Sequence, residues 1–144
     1  MDEFMQEAIK EAKKGLAEGG IPIGAVLVRA GKIIGQGRNK RVQEGDPVAH
    51  AEIECLRNAG RVGSYKDVVL YSTLIPCHLC AGAAVEFKIR KIVAAESKNF
   101  KGARKFMEEN GIEVVDLDLE EAKEMMANFI KNNQKLWLED IGEL

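Results

Sequence analysis

The chain has 144 residues, 46% of them hydrophobic and 31% charged, and a net charge of −2. That length suits one domain, residues 1–144, with one substantial core, and the composition excludes a disordered or membrane-embedded chain. The charge balance lacks the basic footprint of a polynucleotide binder, and three cysteines, an odd number, point to a reducing, cytoplasmic setting over a disulfide framework.

From the N-terminus, Phe4, Met5, Ala8, Ile9, Ala12 and Leu16 recur at helical spacing, and Gly19-Gly20 supplies a stop. This opening is acidic and amphipathic, unlike a secretory leader, and no apolar run reaches the ~20 residues of a spanning helix. Two strands follow, Ile23–Ala30 and Lys32–Gln36, joined as a hairpin at Gly31. Gly37–Pro47 is polar and turn-rich and reads as a long loop, a kind that is often functional. A helix is expected over Ala49–Asn58, closing near Gly60, then a buried strand over Asp67–Ser72. After the break at TLIP come a helix at Cys77–Phe87, a strand at Lys91–Ala95, a helix at Ala103–Asn110 and a fifth strand at Ile112–Asp116. Asp118 with Glu121 resembles a capping box opening a last helix to about Lys131, with Met125, Met126 and Phe129 in the core. No linker or internal repeat interrupts this order, which predicts an α/β fold with helices on both faces of one sheet.

The chemistry concentrates at two helix starts. In PCHLC, Pro76–Cys80, two cysteines three positions apart share a helical face just after a proline. Thiolates there are favoured by the helix dipole and by unpaired first-turn N–H groups, which suits them to metal. Alone, the pair is open to a redox role, a structural zinc site or ordinary helix packing. Partners come from PVAHAEIEC, where His50 stands at another helix start and Glu52 two residues on. His50, Cys77 and Cys80 give three zinc ligands, and an open fourth position is the mark of a catalytic site. Glu52 then serves as the proton shuttle, since H-x-E…P-C-x-x-C is the signature of zinc nucleobase deaminases. Residues two apart on a regular helix diverge, so His50 must sit at a pre-helical start for both to reach the metal. Cys55, the leftover thiol, reads as a buried, inert helix residue; as a fourth ligand it would make the site a structural zinc module. His78 is turned away from its neighbours by the ~100° per residue of a helix.

These motifs belong to a longer pattern. GGIPIG (19–24), the Asn39 loop, HAE (50–52), STLIPCHLC (72–80), NFKG (99–102) and WLEDIGE (137–143) make the chain similar to the fungal-type cytosine deaminases of the cytidine deaminase-like superfamily. The resemblance covers nearly the whole length, and the tail separates this branch from deaminases that share only the metal motif. It implies a three-layer α/β/α fold with a central five-stranded mixed sheet, and a homodimer with one Zn2+ per subunit. It implies conversion of cytosine to uracil and ammonia in pyrimidine salvage, with a small nucleobase as substrate and neither nucleic acid nor membrane as partner. Carried over by position, His50, Cys77 and Cys80 hold the metal and Glu52 moves protons. Asn39 and Asp140 bind the pyrimidine edge, Asp140 at the 4-amino group, while Phe100 and Trp137 form an apolar lid. Ala51, Ile75 and Cys77 contribute backbone groups. The sequence departs from the fungal pattern at Ala51, Ile75, His78 and Leu138, where that pattern has Gly, Ser, Asp and Phe. Backbone contacts at Ala51 and Ile75 survive a changed side chain, whereas Leu138 bears on the shape of the lid. Guanine and tRNA-adenosine deaminases share HAE and PCxxC and are the alternative within the class.

Overall fold

In the computed structural model, which describes residues 2–144, the chain opens with helix α1, Glu3–Ala17. The Asp2 carboxylate caps it, accepting from the N–H groups of Phe4 (2.9 Å) and Met5 (3.3 Å). Met5, Ala8, Ile9 and Ala12 form the buried stripe. Leu16, expected to extend it, is exposed, because the last turn is seated through Gly15 against Ile21 and Arg38.

Strands β1 (Gly24–Arg29) and β2 (Lys32–Arg38) make the expected hairpin. Arg29 pairs with Lys32, so the loop is Ala30-Gly31, and both residues have positive φ (50° and 75°). That is the type I′ pattern, whose twist matches the strands it joins. The segment expected as plain loop is more ordered. Strand β2 runs on to Arg38, and one helical turn, α2 (Arg41–Glu44), comes next. An Asx turn explains it: Asn39 Oδ1 accepts from the Arg41 N–H at 2.9 Å and starts the turn.

The remaining elements are α3 (Ala51–Ala59), β3 (Val68–Ser72), α4 (His78–Phe87), β4 (Lys91–Ala94), α5 (Arg104–Glu109), β5 (Glu113–Asp116), α6 (Glu120–Asn132) and α7 (Gln134–Asp140). The last two are separated at Asn133, whose φ of −144° and ψ of 47° are not helical. The capping box at Asp118 does not form. Asp118 sits at φ 51°, outside the extended range an N-cap needs, and its carboxylate pairs with Lys123 at 2.8 Å. Leu119 takes the cap position without a side-chain bond. No helix among the described residues is long and apolar enough to cross a membrane.

The five strands form one mixed sheet in the order β2-β1-β3-β4-β5. Strand β1 is antiparallel to β2 and β3, while β3–β4 and β4–β5 are parallel. Period-two alternation sorts the side chains onto two faces. Val26, Val28 and Val93 pack with α1 and with Ala122 of α6. Ala25, Leu27, Leu70, Ile92 and Val114 pack with α3, α4 and α5. Met126 and Phe129 join this second cluster, whereas Met125 is only half-buried.

Helix α3 approaches β2 closely enough to fix where its own first turn lies. A side-chain carbon added at Gly35 would lie 2.6 Å from Ala59 Cβ, and one at Gly37 would lie 2.5 Å from Cys55 N. The helix rests on the strand backbone itself. Its first turn thereby meets the segment that leaves β3, with His50 Nδ1 3.5 Å from Cys77 Sγ.

Candidate active site

Two helices begin at one place. His50 is the N-cap of α3 in extended conformation (φ −70°, ψ 155°), and Cys77 is the N-cap of α4 (φ −75°, ψ 179°). The pre-helical setting that the spacing of His50 and Glu52 demanded is present, and both side chains line one cavity. Neither N-cap side chain caps its own helix. The ligand atoms of His50, Cys77 and Cys80 all lie within 4.8 Å of one another. One imidazole and two thiols at this spacing fit zinc, and no fourth ligand joins them among the described residues. Cys55 is fully buried, and burial pushes its thiol far above its ordinary range, which leaves it inert.

The electrostatics prepare the same chemistry. The Cys77 thiol is drawn down to about 4 by the hydrogen bond from Cys80 and, against the effect of burial, by His50. Cys80 is held well above its usual value by that same bond and by burial. Burial resists charge on His50, but Cys77 outweighs it and lifts the imidazole to about 9. Cys77 is thus the thiol drawn towards its metal-binding thiolate form, while His50 and Cys80 would give up their protons as a metal binds. Glu52, 4% exposed, is pushed up to about 7 by burial and then by the charge of Cys77, while His50 pulls the other way. A carboxyl poised there can both accept and donate a proton.

Two distant segments bring further polar groups to the cavity. Asn39 is buried at the end of β2, and because its Oδ1 is taken by the Arg41 N–H, its Nδ2 is a buried donor without a protein partner. The Asp140 side chain, at the end of α7, is 5% exposed, and its Oδ1 accepts from Arg41 Nε at 2.8 Å. Phe100 and Trp137 meet edge to face with ring centroids 5.7 Å apart, and Trp137 is 6% exposed. The loop carrying Phe100 is tied down by fully buried Glu96. Its carboxylate accepts from the N–H groups of Lys98 (2.8 Å) and Asn99 (3.1 Å) and from Asn99 Nδ2 (3.0 Å). The Ile75 N–H donates to the Glu96 carbonyl at 3.0 Å, so only the Ile75 carbonyl remains for a ligand. Ala51, the first residue of α3, has a first-turn N–H with no partner inside the helix.

Asn39, His50, Glu52, Ile75, Cys77, Phe100, Trp137 and Asp140 thus share one cavity, with buried Cys80 and Ala51 outside its lining. Ile23, Leu74 and Ile141 complete its walls. These three escape sequence reasoning because a lining aliphatic residue has the same pattern as a core one. Leu138 is exposed and lies outside the cavity, so the departure there falls on the surface and leaves the lid untouched. His78 is likewise exposed, its ring 5.8 Å from that of Phe106.

Residues 1–96 match the family profile described as the cytidine and deoxycytidylate deaminase zinc-binding region. The chain is 43% identical over 142 residues to a cytosine deaminase of Candida albicans, an alignment covering 96% of this chain and 95% of that one. It is 34% identical over 142 residues to a tRNA-specific adenosine deaminase of Buchnera aphidicola, covering 91% and 94% of the two chains. Among solved structures, a tRNA deaminase studied for A-to-I editing at the wobble position superposes with a TM-score of 0.67 at 30% identity. That match covers 79% of this chain and 96% of the other.

Proposed function

The chain belongs to the cytidine and deoxycytidylate deaminase zinc-binding family, and from that membership we propose that it hydrolyses cytosine to uracil and ammonia. The observation that carries the substrate is a pair of buried groups in one cavity: Asn39 Nδ2, an unpaired donor, and the Asp140 carboxylate, an acceptor. Cytosine offers the matching set, a 2-oxo acceptor and a 4-amino donor flanking one ring nitrogen. The cytosine deaminase relative is also nearer than the tRNA deaminase one over an equal span, at 43% identity against 34%. A structural zinc module would need a fourth protein ligand, and the cluster has three.

Zinc held by His50, Cys77 and Cys80 supplies, when bound, the Lewis acidity that makes a water nucleophilic near neutral pH. Glu52 takes a proton from the attacking water and passes it to ring N3 as oxygen joins C4. The remaining hydroxyl proton, relayed by the same carboxyl, turns the 4-amino group into ammonia as the C4 carbonyl forms. One water enters, and one uracil and one ammonia leave. Glu52 is the one carboxyl in the cavity placed beside the ligand cluster, and burial pushes it up from its ordinary value, so it is suited to both transfers. Asn39 holds the 2-oxo group and Asp140 the amino group, with the Ala51 N–H and the Ile75 carbonyl on the ring edge. Trp137 and Phe100 cover the ring and keep out bulk water.

In the same reading the enzyme is a cytoplasmic homodimer of pyrimidine salvage that takes a free base, with no nucleic-acid partner. Three free cysteines suit a reducing compartment, and the net charge of −2 is ill matched to polynucleotide. Exposed Leu79 and Phe87 on α4 offer apolar surface to a second copy. The deciding measurement is ammonia release by the zinc-loaded protein from cytosine, cytidine, guanine, adenine and a tRNA hairpin. Cytosine should react fastest, and faster release from guanine or the hairpin would overturn the assignment.

A further inference from the structure

One basic side chain joins parts of the cavity that lie far apart in the sequence. Arg41 is the first residue of α2, and its side chain is 14% exposed. Its Nε donates to Asp140 Oδ1 (2.8 Å), one terminal nitrogen to Glu139 Oε2 (3.1 Å), and the other to the Pro47 carbonyl (3.2 Å). Its backbone N–H donates to Asn39 Oδ1 (2.9 Å). Arg41 therefore touches both groups that face the base edge, while the cavity lining does not include it.

Each bond settles which atom is left for the ligand. A carboxamide has one oxygen acceptor and one NH2 donor, so engaging Asn39 Oδ1 leaves Nδ2 as the buried unpaired group. The guanidinium occupies Asp140 Oδ1 in a nearly dry setting and leaves the second oxygen as an acceptor. The guanidinium is itself fixed by its three partners, Asp140, Glu139 and the Pro47 carbonyl, so the donor it presents to Asp140 has one position, which a flexible ammonium would not give.

We infer that Arg41 is a positioning residue for base recognition, setting the donor at Asn39 through its backbone and the acceptor at Asp140 through its side chain. This rests on the cytosine reading above. A purely mechanical role, strapping α7 to the body of the protein, is the competing account, and the Glu139 contact lets the two be separated. Glu139 shares the strap but is 48% exposed and makes no part of the cavity lining.

The experiment compares Arg41→Ala, Arg41→Lys and Glu139→Ala at matched zinc content, reading kcat/KM for cytosine and Ki for pyrimidin-2-one. The latter keeps the ring and the oxo group but has no amino group for Asp140. Arg41→Ala should lower kcat/KM for cytosine by roughly 10- to 100-fold, the scale of a lost charge-assisted hydrogen bond. It should weaken pyrimidin-2-one by no more than about 3-fold, since the backbone N–H that fixes Asn39 survives the substitution. Arg41→Lys should recover only part of the loss, because an ammonium lacks the fork. Glu139→Ala should stay within about 3-fold of the parent on both measures, as expected for an exposed pair. Parallel losses for cytosine and pyrimidin-2-one, or losses in Glu139→Ala matching those of Arg41→Ala, would reduce Arg41 to a strap. If Arg41→Ala fails to fold, Arg41→Lys carries the same comparison. A parent protein that leaves cytosine untouched overturns the functional reading itself, and this inference with it.

Discussion

In the proposed reaction Glu52 has to hold and release a proton within one cycle, and burial favours this by raising its pKa to about 7. Glu52→Gln keeps the size and the hydrogen-bonding capacity of the side chain and removes only its titration. The variant should retain zinc and bind cytosine while losing at least ~10²–10⁴-fold in kcat. Ammonia release at matched metal content checks this, and near-normal turnover would take Glu52 out of the proton path. Residues of this kind are legible in sequence because metal chemistry admits few ligand types. With two histidines and three cysteines in the chain, the H-x-E…P-C-x-x-C signature singled out His50, Cys77 and Cys80. Arg41 was not legible for the opposite reason. In GRNKRVQEG it is one basic residue among several, and nothing local announces partners 98 and 99 residues away.

Among the elements, the β1–β2 hairpin carries a local conflict. Ala30 is exposed and held at φ 50°, where an L-residue is strained by roughly 1–2 kcal/mol and asparagine is tolerated. Ala30→Asn should therefore stabilise the protein by about 0.5–1 kcal/mol, a rise of a few degrees in Tm, with turnover unchanged. A lowered Tm would contradict the assigned turn. The hairpin, α1 and the strands β3 to β5 were readable because their burial pattern is local. Turn α2, the break at Asn133 and the start of α6 were not. Turn α2 depends on the Asn39 side chain, the start of α6 has Lys123 holding Asp118, and at the break Asn133 Nδ2 turns back to the Phe129 carbonyl; none of these is a periodicity. The short helix α7 supplies no strand; it places Trp137 and Asp140 in the cavity, and Trp137 also packs at the edge of the core cluster that covers one face of the sheet, so its loss should lower Tm as well as turnover. Deleting residues 136–144 should leave a folded, zinc-containing protein whose cytosine turnover is nearly abolished. In the intact enzyme the Phe100–Trp137 pair over the cavity should crowd a ribose, so cytidine should be a poor substrate. Full activity after truncation, or cytidine processed as fast as cytosine, would remove the tail from the site.

For the whole molecule, the sheet and its two helical layers could be anticipated from element order, while the relative placement of α3 and α4 could not. It depends on Gly35 and Gly37 letting α3 rest on the β2 backbone, a contact with side-chain-free strand positions that hydropathy does not register. The consequence concerns local opening. Each helix starts from an N-cap that makes no capping bond of its own, yet the Glu54 N–H donates to the His50 carbonyl (2.9 Å) and the Ala81 N–H to the Cys77 carbonyl (2.8 Å). A metal ion held by His50 and Cys77 would tie those two first-turn bonds together across 27 residues of chain. Chelation should then raise the hydrogen-exchange rates of the Glu54 and Ala81 amides in step, as one small cooperative unit, while strand amides in β1 and β3 keep their protection. Exchange that accelerates evenly through the sheet would mean instead that the ion holds the entire fold, and independent rates at the two amides would mean that the helix starts open separately.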